Sequence, residues 1–157
     1  MTVGSGSGNI TVTFDSTADG TLIWDAANTE FELSGGELGI GTTAPKSTLD
    51  VSGSFGYKVT TVTSVAGVPS PDTYTATAET VIVCDATNDN VTINLPAAST
   101  VTNRIYQIKK IAPASKTATC TVDGNAAETI DGATTQVIKR RYDSIDIVSD
   151  GSNWHIL

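Results

Sequence analysis

The sequence is poor in charge, in aromatic rings and in the residue types that most catalysis needs. Of its 157 residues, 17% are charged and 6% aromatic, with one histidine, one methionine and two cysteines. Each shortage excludes something. A hydrolase needs a nucleophile with a base, or paired acids placed about a scissile bond. The lone histidine, His155, sits third from the end between Trp154 and Ile156, where an alternating terminal strand makes it a surface or interface residue rather than a base. No G-x-S-x-G elbow occurs. Gly4-Ser5-Gly6-Ser7-Gly8 lacks the preceding strand and the lysine of a phosphate loop. The acid pairs Asp85 with Asp89 and Asp143 with Asp146 read as turn and strand-edge residues, and no stretch has the ligand order of a calcium loop. The sequence therefore predicts no enzyme, no catalytic residue, no metal site and no cofactor.

Cys84 and Cys120 form neither a CxxC motif nor a metal-ligand spacing. Each lies in a strand-like run, so two buried free thiols are expected in preference to a disulfide. Bases are scarce too. Nine lysines and arginines stand against seventeen acids, a net charge of −8. Phosphate repels such a chain, so no nucleic-acid partner is expected. No apolar run approaches the roughly 20 residues that cross a bilayer, and no membrane insertion is expected. The N-terminus has no signal-peptide pattern, which predicts synthesis in a cytoplasm.

What fills the sequence is threonine, serine, alanine, glycine and asparagine. Threonine suits a pleated strand because its branched Cβ is stiff in a helix; glycine, asparagine and aspartate supply reversals. After the flexible Gly4–Gly8 arm, Ile10, Val12 and Phe14 alternate with Thr11, Thr13 and Asp15. Short strand-like runs follow at Thr21–Trp24, Glu30–Leu33, Leu38–Gly41 and Thr48–Val51. Prolines at Pro69 and Pro71 mark a linker. Beyond it Thr80–Asp85, Val91–Leu95, Arg104–Ile111, Ala118–Val122, Val137–Arg140, Ser144–Ser149 and Trp154–Leu157 are strand-like, punctuated by Asp123-Gly124, Asp131-Gly132 and Asp150-Gly151. No helical stripe of ten residues occurs. The prediction is an all-β chain: an N-terminal β segment over residues 1–67, then an antiparallel β-sandwich or jelly-roll-like domain over residues 73–157.

The front segment is short of large apolar side chains and cannot alone offset the ordering entropy of its backbone. Association of identical copies around an axis solves this, each copy lending its apolar edge to a shared core. Phe14, Trp24, Phe31, Leu33, Leu38, Ile40, Leu49, Val51 and Phe55 are the candidate core of that assembly. Its charge is lopsided: up to Asp50 there are seven acids and one base, Lys46. The one concentrated basic patch is Lys139-Arg140-Arg141-Tyr142. It reads either as charge protecting an edge strand or as a contact for an acidic partner. The aromatics Tyr57, Tyr74, Tyr106, Tyr142 and Trp154 are read as core or interface anchors ahead of sugar-stacking platforms.

The run Leu38-Gly39-Ile40-Gly41-Thr42-Thr43-Ala44-Pro45-Lys46-Ser47-Thr48-Leu49-Asp50-Val51-Ser52-Gly53-Ser54 resembles a segment of bacteriophage tail fibres and related virion appendages. The spacing of Thr80–Asp85, Val91–Pro96, Tyr106–Lys110, Thr129–Gly132 and Ser149–Trp154 resembles a β-domain of phage fibre, head-fibre and decoration proteins. The resemblance implies an interwound β-structured homotrimer on the virion surface, with Leu49 and Val51 facing the threefold axis. It implies other virion proteins, a major capsid or tail protein, as partners. Brevity and the lack of a chaperone domain after Leu157 shift the expectation from a long tail fibre to capsid decoration or a head fibre. A tail fibre or receptor-binding tip recognising a host glycan or protein is the alternative.

Overall fold

A computed structural model of the chain describes residues 10–13, 21–25, 27, 30–34, 36–66, 71–112 and 117–157. Among them the regular structure is strand, apart from one 3-10 turn at Ala98–Thr100. The chain is all-β, as its threonine-rich alternation requires. It divides into two compact units, Met1–Gly56 and Tyr57–Leu157. That division falls ahead of the Pro69/Pro71 linker, because residues 59–63 form a strand of the second unit.

In the first unit, β1 (Ile10–Thr13), β2 (Thr21–Asp25) and β3 (Glu30–Ser34) make an antiparallel meander. Its register sets Ile10 opposite Trp24, Trp24 opposite Phe31 and Leu22 opposite Leu33. Two further strands, β4 (Leu38–Ile40) and β5 (Leu49–Val51), pair in parallel, Leu38 with Leu49 and Ile40 with Val51. Glycine is required in β4 and at the turn that follows it. A Cβ on Gly39 would stand 2.6 Å from the Thr42 carbonyl oxygen. Gly41 has φ +74°, and a Cβ there would stand 2.9 Å from the Ser52 carbonyl oxygen.

The second unit contains β6 (Val59–Thr63), β7 (Asp72–Thr75), β8 (Val81–Asp85), β9 (Val91–Asn94), β10 (Ile105–Ile111), β11 (Cys120–Asp123), β12 (Thr135–Ile138), β13 (Ser144–Ser149) and β14 (Trp154–Ile156). They form a five-stranded sheet ordered β14-β13-β10-β8-β6 and a four-stranded sheet ordered β12-β11-β9-β7. From β6 to β11 the chain alternates between the sheets. Each strand of one sheet is thus the crossover that lets two strands of the other run parallel. The winding then closes with antiparallel β12, β13 and β14. The expected antiparallel domain is corrected: both sheets are mixed. The crossovers between parallel strands are made by strands of the other sheet rather than by helices.

One buried cluster draws side chains from both sheets. Ile82, Tyr106, Ile108, Ile147 and Trp154 come from the five-stranded sheet, and Val91, Ile93, Val122 and Ile138 from the four-stranded one, all buried. Each such side chain contributes on the order of 1.5–3 kcal/mol. Trp154 lies 5.7 Å from the Tyr106 ring and donates its indole N–H to Glu128 Oε2 at 3.2 Å. The expectation of free thiols is also corrected. Cys84 on β8 and Cys120 on β11 point into this core from opposite sheets with Cα atoms 6.3 Å apart, and they form a disulfide. That separation is within bridging range, and it arises from the fold rather than from sequence spacing.

Candidate functional site

The residues singled out for self-association fall into three groups. Phe14 lies outside the described residues. Trp24, Phe31 and Leu33 lie on β2 and β3, with their side chains outside the described part. On β4 and β5, Leu38, Ile40 and Leu49 are 44%, 51% and 49% exposed, Val51 is half-buried and Phe55 is exposed. The parallel register brings Leu38 beside Leu49 and Ile40 beside Val51. The result is a small apolar surface on a ribbon of three residues per strand, a size far below that of an independently stable sheet.

The basic run Lys139–Tyr142 lies just after β12, the edge of the four-stranded sheet, in a turn rather than in the strand. Tyr142 adopts φ +65°, a left-handed turn conformation. Arg141 lies 4.2 Å over the Tyr142 ring and donates to its hydroxyl. Lys109 donates to the Tyr142 carbonyl. The turn is thereby ordered and displays two guanidinium groups on an exposed corner.

His155 has two carboxylates against it. Nε2 stands 2.8 Å from Asp150 Oδ2 and Nδ1 3.6 Å from Asp131 Oδ1. The hydrogen bond to Asp150, with the charge of both acids, raises the imidazole pKa against the opposing effect of desolvation. Asp150 in turn is lowered to about 2, by His155 first and then by the Asn153 and Ser152 amides. Asp131 Oδ1 also accepts the Ile156 amide at 3.2 Å. This arrangement fastens the terminal strand. Of the expected acid pairs, Asp85 caps its own turn through the Thr87 amide at 3.0 Å, and Asp146 accepts Gln107 Nε2 at 3.3 Å.

Two buried ionisable groups were not singled out in the sequence. Lys110, 1% exposed, donates its ammonium to the carbonyls of Ala118 at 2.5 Å and Lys139 at 2.6 Å. Burial lowers its pKa, with the Asp143 charge opposing. A signal existed: Tyr106, Ile108 and Lys110 share one parity of β10, the buried one. Glu79 is fully buried and accepts the Thr77 amide at 2.8 Å, the Thr77 hydroxyl at 3.0 Å and the Tyr74 hydroxyl at 3.1 Å. Desolvation pushes its pKa up, but these bonds outweigh it and the net shift is downward. Nothing local in the sequence marks Glu79.

A polar cleft of about 440 Å³ is lined by Asn88, Asp89, Asn90, Thr117, Ala118 and Thr119. Asn90 Oδ1 accepts the Thr119 amide at 2.7 Å across it. Among the described residues no group of three or more His, Cys, Asp or Glu side chains is placed to hold a metal, and no helix is long and apolar enough to cross a membrane. No protein-family model matches the chain, and neither a curated protein nor a solved structure matches it.

Proposed function

We propose that this chain is a non-enzymatic structural protein of a bacteriophage virion, a homotrimer displayed on the particle surface as a capsid-decorating, cement or head-fibre protein. Its partners on that reading are sister copies and a major capsid or tail protein. The supporting observation is the exposed apolar set on β4 and β5, Leu38, Ile40 and Leu49, in the same stretch that resembles phage appendage segments. Two three-residue strands do not hold together in water, so sister copies supply the missing burial. The function is mechanical: the first unit supplies a shared apolar axis and the second is a disulfide-closed β unit. The interwound arrangement of the front segment and a sandwich-like rear domain belong to the same proposal. Light scattering after size exclusion tests the assembly, with three times the 16.2 kDa chain mass expected. A stable folded monomer at micromolar concentration overturns it. Copy number per purified particle tests the role: hundreds fit decoration, fewer than about twenty a tail part.

A receptor-binding tip is the second reading, and the polar Asn88–Asn90 and Thr117–Thr119 cleft favours it. Amide and hydroxyl groups of that kind serve hydrogen-bonded sugar recognition. Retention on immobilised host polysaccharide, lost on Asn88→Ala, is its expected mark.

A further inference from the structure

The two sheets of the second unit differ in how much apolar surface their outer faces carry. Thr73, Thr75, Thr92, Asn94, Thr121 and Asp123 point outward from the four-stranded sheet, since the alternate positions Val91, Ile93, Cys120 and Val122 are buried. On β12 the outward positions are Thr135 and Val137, and Val137, 43% exposed, is the one apolar side chain among these, so the face is predominantly polar, as a solvated sheet face should be. The five-stranded sheet differs. Its outward positions include Val59, Val81, Val83, Ile105, Ile111 and Val148, while Ile82, Cys84, Tyr106 and Ile108 fill the inward ones. The register places Val59 next to Val81 and Ile105 next to Val148, while Val83 lies between Thr61 and Lys109 and Ile111 lies beside Asp85. Val59 is 57% and Ile105 42% exposed. No local requirement explains the contrast, because threonine serves a strand as well as valine does.

We infer that the outer face of the five-stranded sheet, through Val59, Val81, Val83, Ile105, Ile111 and Val148, turns toward the assembly axis and packs against sister copies of this chain. This rests on the assembly reading above. Five strands spaced about 4.8 Å apart and about 20 Å long give a face on the order of 450 Å². A contact that stands alone needs about 800 Å² per partner. The face is too small to recruit an independent protein but sufficient between copies already tethered through residues 1–56, where the local concentration reaches the millimolar range. Its polar groups suit a self-contact. Lys109 shares the face with Asp85 and Asp146, so each copy offers both signs to its neighbour.

The test uses the full-length chain with V81E/V83E on this face and T73E/T92E on the outer face of the other sheet. Both pairs occupy outward positions, and circular dichroism checks that each variant folds. The concentration at which the assembly half-dissociates, followed by light scattering on dilution, is expected to rise at least tenfold for V81E/V83E. For T73E/T92E it should stay within twofold. If V81E/V83E loses its fold, Val59→Lys on the edge strand β6 takes its place with the same expectation. Equal dissociation of both double variants and the parent overturns the inference while leaving the assembly reading intact, whatever else covers the face. A parent chain that is monomeric at every concentration overturns both.

Discussion

The Lys110 ammonium ends on two main-chain carbonyls, and this makes it a fastener as much as a charge. Ala118 precedes β11 and Lys139 follows β12, so one side chain from β10 ties the sheets together at that end. Lys110→Met keeps the apolar stem but strands both acceptors, each costing about 1–3 kcal/mol when buried without a donor. A loss of about 2–4 kcal/mol in urea unfolding is expected; an unchanged midpoint would mean the carbonyls find other donors. His155 gives a prediction of the opposite kind, on the surface. Its folded pKa is raised above the ordinary 6.5, so its contribution is complete below that value and disappears as pH rises through the folded pKa. Asp150, lowered to about 2, keeps its contribution above 3.8 and loses it as pH falls toward 2. Amide protection in β14 should therefore be greater at pH 5.5 than at pH 8.5. Asp150→Asn should lower the His155 midpoint seen by NMR titration; an unmoved midpoint would refute the pairing.

Strands β8 and β11 are held across the core by Cys84 and Cys120, 36 residues apart in sequence. Closing a loop of that length removes denatured-state entropy worth about 3–4 kcal/mol on the chain-entropy account. The C84A/C120A chain should lose an amount of that order in denaturant unfolding while its far-ultraviolet dichroism is retained. A parent chain equally stable with and without reductant, under conditions that break the bond, would count against it. The pairing was illegible in the sequence because two single cysteines carry no spacing signal. Individual strands were easier to read. Ser144–Ser149 was expected and found, and Thr80–Asp85, Val91–Leu95 and Arg104–Ile111 differ from β8, β9 and β10 by one residue at an end. Val59–Thr63 and Asp72–Thr75 escaped notice, since VTTVT and DTYT carry little apolar alternation and the second follows Pro71. Strand direction failed for a physical reason. The Asp123-Gly124 and Asp150-Gly151 dipeptides correctly signalled the antiparallel steps β11 to β12 and β13 to β14. The parallel steps are made between strands that the chain reaches only after visiting the other sheet, and no local pattern records that. Five of the nine residues of the association set could be followed into the structure, where Leu38, Ile40 and Leu49 are exposed.

At the scale of the whole molecule, burial is unequally shared among the residues whose side chains are described. Every buried apolar residue among the described ones lies between Ala76 and Trp154, in the second unit. The described residues 36–56 contribute none. The two units should then respond differently to separation. A fragment of residues 57–157 has its own closed core and its disulfide, and should unfold cooperatively with a midpoint independent of protein concentration. On the proposed assembly, folding and association of residues 1–56 are one step, so that fragment should gain β-type dichroism only as concentration rises. Charge sharpens the expectation. Up to Asp50 there are seven acids and one base, so bringing copies together there works against like-charge repulsion, which salt screens with a Debye length near 10 Å at 0.1 M. Raising sodium chloride from 0.02 to 0.5 M should move the concentration at half-association of residues 1–56 downward, whereas an assembly held by opposite charges would move it upward. A folded, monomeric 1–56 fragment with a concentration-independent melting curve would remove the need for sister copies, and with it the physical basis for placing this chain in a homotrimer.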